Sequence, residues 1–322
     1  MVRYFVRRLA LIPLALLLVH FLGFFYANLI RPLRALRNPF FVLSAPPEPI
    51  LSTYTIYLRH LFEFDFNTIP NPWGVQGELP IGEVLFQAAI ASLSLLGIAL
   101  VLSILIGVFL GINAARYDPP HVSRWLTVLS TTGLAMPTFF IGSLFFAFWF
   151  LYVIWGGPGI IPLPFSGFGL DSHLVVPVLV LTARPAMMIA GVTAGLLSEE
   201  FGRQYVVAAR SQGHTWSDIR QKFALRNIIT PVILVIADSM RLLVGELIVV
   251  EWLFQWPGLG NLLAQTLIPP RTANMGVPVE NIIFLDPPVV AAVLTVFALI
   301  LLLTDFGASL LVRYYDPRLR EL

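Results

Sequence analysis

The sequence predicts an all-α polytopic membrane protein with six transmembrane helices and both termini in the cytoplasm. Composition is the first observation: of 322 residues 57% are hydrophobic and 12% charged, with a mean hydropathy of +0.83, whereas an ordinary soluble domain carries about 25% charged residues. The second is six runs that match the roughly 20 apolar residues needed to cross a hydrocarbon core: Leu9 to Ile30, Ala88 to Ile112, Leu126 to Trp155, Leu174 to Leu197, Ile228 to Val250 and Val289 to Val312. The third is sidedness. Arg3, Arg7, Arg8, Arg116, Arg124, Arg203, Arg210, Arg220, Lys222, Arg226, Arg313, Arg318 and Arg320 fall in segments that share one side, against Arg31, Arg34, Arg37, Arg59 and Arg271 on the other. The richer side is cytoplasmic. This distribution forms no basic stripe of the kind nucleic acid requires, and with no cysteine there is no disulfide framework or thiol chemistry.

The elements follow in order. Residues 1–30 hold the first helix, too long for a signal-peptide core and without a small-x-small cleavage site, so it is expected to be retained. Residues 31–87 read as an external loop, with Pro46, Pro47 and Pro49 together. Inside it Tyr54, Tyr57, Leu58, Leu61 and Phe62 form an apolar stripe, which suggests a helix lying in the interface. Residues 88–312 form a five-helix transmembrane core. Its first bend is expected at Pro137, where freed carbonyls must face protein or a water-lined cavity; a plain packing kink explains that proline equally well. Arg184 is expensive in lipid and should face the bundle interior. The fifth span holds Asp238, Arg241, Glu246 and, at its end, Glu251. At about 1.5 Å per residue from Pro231, Asp238 and Arg241 lie about 11 to 15 Å into the membrane. Ionisable groups at that depth mark a solute path, or these two neutralise each other at i, i+3 spacing. Pro137, Arg184, Asp238, Arg241, Glu246 and Glu251 are therefore the candidate translocation path.

Residues 199–231 are the one long polar stretch between strongly apolar ones. They read as two short helices around a glycine hinge. In the first, Phe201, Tyr205 and the pair Ala208/Ala209 recur at helical spacing, and the alanines leave a flat strip for close packing. Gly213 can take the left-handed conformation that ends it. The second starts at Thr215, an N-cap with Asp218 three residues on, and sets Trp216, Ile219 and Phe223 on one face. The candidate docking residues are Tyr205, Ala208, Ala209, Arg210, Gly213, Trp216, Ile219 and Phe223.

After the fifth span comes Glu251-Trp252-Leu253-Phe254-Gln255-Trp256-Pro257-Gly258-Leu259-Gly260. Gly258 and Gly260 allow a tight turn after Pro257, and Trp252 and Trp256 suit the membrane interface. Trp256, Pro257, Gly258 and Gly260 are the candidate external gate or turn. An external loop over 257–288 follows; its 268–285 part either lines an entrance or is solvated elaboration. Residues 313–322 form a cytoplasmic tail.

Two of these runs carry a resemblance in order and spacing. Tyr205 to Gly213 resembles the cytoplasmic EAA loop of ABC importer membrane subunits of the dipeptide/oligopeptide/nickel-type permease family. Glu251 to Gly260 resembles that family's Glu-x-x-Phe-x-Trp-Pro-Gly-Leu-Gly run. Gly133 to Gly142, Ile161 to Pro164 and the terminal Asp316-Pro317-Arg318 are similar as well. The chain departs from the family in carrying Val207 in place of the loop's glutamate, Gly191 and Ala194 in place of two arginines before Glu199, and extra sequence at 268–285; the Pro-Gly-Asp-Pro-like signature of the first external loop is absent.

The resemblance implies a type I ABC importer transmembrane-domain fold in a bacterial or archaeal cytoplasmic membrane. It implies a path for a solute, di- or oligopeptide first, delivered by an external solute-binding protein. Expected partners are a second homologous permease subunit and two ABC ATPase subunits that hold ATP and Mg, with no cofactor on this chain.

Catalytic motifs point away from an enzyme. The only lysine is Lys222, outside any Gly-x-x-x-x-Gly-Lys-Ser/Thr run, and there is no His-Glu-x-x-His or Gly-x-Ser-x-Gly. The five histidines, His20, His60, His121, His173 and His214, have no metal-ligand spacing. The alternative reading is a proton- or ion-coupled secondary transporter using Asp238, Arg241 and Glu246; it leaves the 208–213 loop without a purpose. A membrane-embedded hydrolase would need a nucleophile and base that the sequence does not offer.

Overall fold

Length and periodicity resolve into eleven helices among the described residues: α1 (Val2–Arg37), α2 (Ile50–Phe62), α3 (Ile81–Ala114), α4 (Arg124–Ala135), α5 (Thr138–Trp155), α6 (Val175–Phe201), α7 (Gln204–Ser211), α8 (Trp216–Asp218), α9 (Leu225–Leu253), α10 (Leu259–Leu267) and α11 (Pro287–Tyr315). The computed structural model describes residues 2–37, 49–63, 67–73, 77–156, 164, 166–269 and 283–315, with side chains from residue 9 onward. The side chains of Arg3, Arg7 and Arg8, Pro46 and Pro47, the run at 161–163, residues 270–282 of the long external loop and the tail from Asp316 lie outside the described residues. Five helical segments are long and apolar enough to cross a membrane: Leu9–Arg37, Ile81–Ala114, Thr138–Trp155, Ser172–Phe201 and Pro287–Tyr315. The 29-residue α9 carries five ionisable side chains, Arg226, Asp238, Arg241, Glu246 and Glu251, and is not among them.

Small residues decide how the long helices meet. On α3 a Cβ at Gly107 would stand 2.7 Å from Ile189 Cβ and 2.8 Å from the Ala186 carbonyl, and one at Gly111 would stand 2.7 Å from Thr193 Cβ. Glycine at i and i+4 thus lets the backbones of α3 and α6 close up, as small residues do between membrane helices. The core lies where α3, α6, α9, α10 and α11 converge, around Leu95, Leu181, Leu243, Leu247, Trp256 and Val289, all fully buried. Outward faces carry Phe86, Phe109, Phe148 and Trp155, each more than half exposed, as suits a lipid-facing surface.

Four expectations need correction. The run from Leu126 to Trp155 is not one bent helix: α4 ends at Ala135, Met136 and Pro137 are extended, and α5 starts at Thr138. Proline disfavours helical geometry in the residue before it and is tolerated at a helix start, so the bend becomes a break. The 31–87 segment is more ordered than a loop. α1 continues to Arg37, and a two-stranded antiparallel ribbon, β1 (Thr68–Pro70) with β2 (Glu78–Pro80), precedes α3. The stripe on α2 is divided: Tyr54 is buried against Phe24 and Ala291, while Phe62 is 78% exposed. A second ribbon, β3 (Ala115–Tyr117) with β4 (Pro120–Val122), closes the turn between α3 and α4, so among the described residues the only strands in a mostly helical chain are these two three-residue pairs.

Candidate coupling and translocation site

At the end of α6 the chain turns at Gly202 and Arg203, and α7 begins. The first short helix therefore does not include Phe201, which belongs to α6. Along α7, Val206 and Ala209 are buried and pack with Ile219, while Gln204, Val207, Ala208 and Ser211 are exposed, Val207 at 69%. Spacing of i, i+3, i+4, i+7 puts those four on one outward face. The alanine pair is thus split, Ala208 outward and Ala209 inward. Gly213 follows with φ of +90°, a conformation open to glycine at no steric cost, and its N–H donates to the Arg210 carbonyl at 3.0 Å.

Thr215 caps the next helix as expected: its hydroxyl oxygen accepts from the Asp218 N–H at 3.2 Å, and its hydroxyl donates to the Asp218 carboxylate at 2.5 Å. The Lys222 ammonium, 2.7 Å from Asp218, and the Thr215 hydroxyl hold this carboxyl down at about 2. The second helix is not short. α8 passes through a π-helical turn at 219–224 directly into α9, so Pro231 sits inside a helix. The wider turn also separates the expected face: Ile219 and Ala224 are buried, whereas Phe223 is exposed against His214. Trp216 stacks on Tyr117 of β3 at 4.3 Å and receives the Arg210 guanidinium 4.8 Å from its ring.

A residue that sequence reasoning did not single out ties these pieces together. Glu200, buried at the end of α6, accepts from the Tyr205 hydroxyl at 2.6 Å and the Asn227 amide at 2.9 Å, and pairs with Arg203 at 2.8 Å. α6, α7 and α9 thereby share one carboxylate. Burial and this hydrogen bond push the Tyr205 phenol up to about 12.

Within the bundle the charges sort into two groups. Arg184 of α6 pairs with Glu246 of α9 and donates to the Leu134 carbonyl at the end of α4, 3.2 Å away. Asp238 pairs with Arg241 on α9, and Arg241 reaches Asp305 of α11 at 2.6 Å. The i, i+3 neutralisation is present, and Glu246 belongs to a different pair.

At the other end of α9, Glu251 is fully buried. Its carboxylate accepts from the backbone N–H of Gly260 at 2.7 Å, from that of Asn261 at 3.1 Å and from the Ser92 hydroxyl at 2.6 Å; Ser92 in turn accepts from the Leu259 N–H. The first amides of α10, which have no partner inside their own helix, are all satisfied. Trp256 is fully buried, not interfacial, and its indole N–H donates to the Ala91 carbonyl at 3.0 Å. The left-handed turn residue is Gln255, with φ of 54°, not either glycine. Gly258 is extended and Gly260 helical; a Cβ at Gly258 would fall on the Glu251 carboxylate, and one at Gly260 would lie 2.6 Å from Ile248 Cα. These glycines serve close approach.

A family model described as the binding-protein-dependent transport system inner membrane component matches residues 103–321, from α3 through the tail. The chain belongs to this family. As a permease of this kind it is the membrane-embedded component of an ABC importer, with several spans in the cytoplasmic membrane. It is similar to the dipeptide transport system permease protein of Lactococcus lactis subsp. cremoris, 27% identical over 99% of this chain and 100% of that protein. It is also similar to the glutathione transport system permease protein of Salmonella typhimurium, 26% identical over 85% of this chain and 80% of that protein, and to the oligopeptide transport system permease protein of Bacillus subtilis, 24% identical over 84% and 81%.

In this permease the structure brings Tyr205, Ala209, Trp216 and Ile219 together on the inner side of α7 and leaves Ala208 on its outer side. Pro137, Arg184 and Glu246 gather at the α4–α5 break, and Asp238 and Arg241 form a separate pair on α9. Glu251, enclosed and fully partnered, clamps α9 to α10 and α3. Trp256 is core, and Gly258 and Gly260 make room for that clamp.

Proposed function

We propose that this permease crosses the membrane six times, α9 included, with both termini cytoplasmic in the type I importer arrangement. Together with a second homologous permease subunit it forms the path for a di- or oligopeptide delivered by an external solute-binding protein. Two ABC ATPase subunits, which hold ATP and Mg, drive it through α7. The observation that carries this reading is the division of α7: Val206 and Ala209 pin one face to Ile219, and Gln204, Val207, Ala208 and Ser211 are left bare on the other. A partner seated on the bare face moves a helix whose other side is bound, through Glu200, to α6 and α9. The peptide class is supported by what the relatives are named for, dipeptide, oligopeptide and glutathione transport.

Co-purification from native membrane in mild detergent tests this, with wild type beside Gly213→Pro and ATP hydrolysis measured on both. Proline cannot adopt φ of +90° and lacks the N–H that bonds Arg210. The expected result is a P-loop ATPase retained by wild type, and lost or uncoupled from uptake in the variant. Wild type that purifies alone, hydrolyses no ATP and moves peptide in liposomes under a proton gradient overturns it.

A further inference from the structure

The chain breaks between α4 and α5 at Met136 and Pro137, directly before the membrane-spanning α5, and polar atoms gather there. Arg184 reaches it from α6 by donating to the Leu134 carbonyl, and Glu246 reaches it from α9 by pairing with Arg184. Thr138, 4% exposed, opens α5. One turn further along α5, a Cβ at Gly142 would meet Leu253 of α9 and Val180 of α6. Residues four apart share a helix face, so Thr138 also looks toward α6 and α9, and Arg184 lies one turn beyond Val180.

Three side-chain atoms in this group are buried without a hydrogen-bond partner among the described residues: Thr138 Oγ1, Arg184 Nε and Glu246 Oε2. Buried polar groups are nearly always satisfied, and each one left alone is costly. Here the three comprise a hydroxyl on the first turn of α5, a guanidinium N–H bonded through its neighbour to the last turn of α4, and a carboxylate oxygen paired with that guanidinium. Broken helices in the membrane interior are where transporters hold solutes.

We propose that this break is a recognition site for one amide group of the transported solute. The solute's N–H donates to Glu246 Oε2, and its carbonyl accepts from Arg184 Nε–H and the Thr138 hydroxyl. The site rests on the peptide reading and narrows it: recognition falls on the amide unit common to all peptides, so side chains of differing size and charge are accepted.

The chain has no cysteine, so Thr138→Cys introduces a unique thiol into this subunit. In the assembled transporter, purified in detergent without ATP, a hydrophilic methanethiosulfonate reagent should modify that thiol. Saturating trialanine should slow the reaction about tenfold, the free fraction left at roughly ten times Kd. The matching ester-linked trimer of lactic acid, which lacks the N–H, should protect far less. Phe148→Cys, on the outward face of α5 at 68% exposure, should show no protection by either. If Thr138→Cys does not assemble, Met136→Cys, 36% exposed at the same break, carries the same test.

A thiol that stays unmodified, or is modified without protection, overturns the site, and equal protection by amide and ester overturns the amide assignment. Wild-type uptake of trialanine separates the two levels. If wild type imports it and the thiol is unprotected, the site alone falls; if wild type does not import it, the peptide reading falls and takes the site with it.

Discussion

The two ends of α9 are built on the same device and put to opposite use. At each end a buried carboxylate joins a short helix to two long ones: Glu200 gathers α6, α7 and α9, and Glu251 gathers α9, α10 and α3. Glu251 binds two backbone amides and a fully buried serine, and nearly all of α10 is buried around it. Glu200 binds three side chains, and half of α7 faces outward. Backbone partners cannot rotate away, whereas side-chain partners can be exchanged. The Glu251 end is a rigid corner, and the Glu200 end is a joint whose side-chain bonds can be exchanged.

The largest expected effect breaks the corner. Glu251→Ala leaves the Gly260 and Asn261 amides and the Ser92 hydroxyl without their acceptor, and should cost about 3 kcal/mol or more, seen as a lowered melting temperature in detergent. Gly258→Ala, whose Cβ would fall on that carboxylate, should cost about 1–3 kcal/mol by overpacking in the same measurement. At the joint, Tyr205→Phe removes one hydrogen bond and should cost only about 1 kcal/mol, yet lower the solute imported per ATP hydrolysed by the assembled transporter. If Tyr205→Phe melts as low as Glu251→Ala, or leaves the transport ratio unchanged, the distinction between corner and joint fails.

The smallest effect concerns pH at the start of α8. Asp218 has a folded pKa of about 2, below its ordinary value of 3.8, so its contribution is complete above the ordinary value and is lost as pH falls through about 2. Thr215→Ala should raise amide exchange at Asp218 near neutral pH, and the gap from wild type should narrow as pH drops toward 2. Tyr205 runs the other way: raised to about 12, its bond to Glu200 is intact below pH 10 and lost as pH rises through about 12.

Hydropathy was enough to find the long helices, because crossing a membrane imposes length and composition on every residue of a span. Gly213 and Thr215 were also legible, since a left-handed turn and an N-cap are decided within a few residues. The carboxylate hubs were not. Glu200 stands beside Glu199 in an ordinary acidic pair, and only the fold shows that one is buried and the other exposed. Glu251 and Trp256 were visible as motif members, but their partners Ser92 and Ala91 lie more than 150 positions away. Polarity at the end of a span suggested a path or an interface, when the physical demand was to satisfy the amides of a buried helix.

The π turn at 219–224 takes up one residue more than an α-helix would use. One residue is about 100° of rotation, so α7 and α9 are phased independently, like two gears on a shaft with an adjustable key. The buried side of α9 that carries Glu246 can therefore be re-aimed over evolution while α7 stays in place. Losing a single residue from 219–224 would turn the whole of α9 by about 100° relative to α7, with almost no change in length.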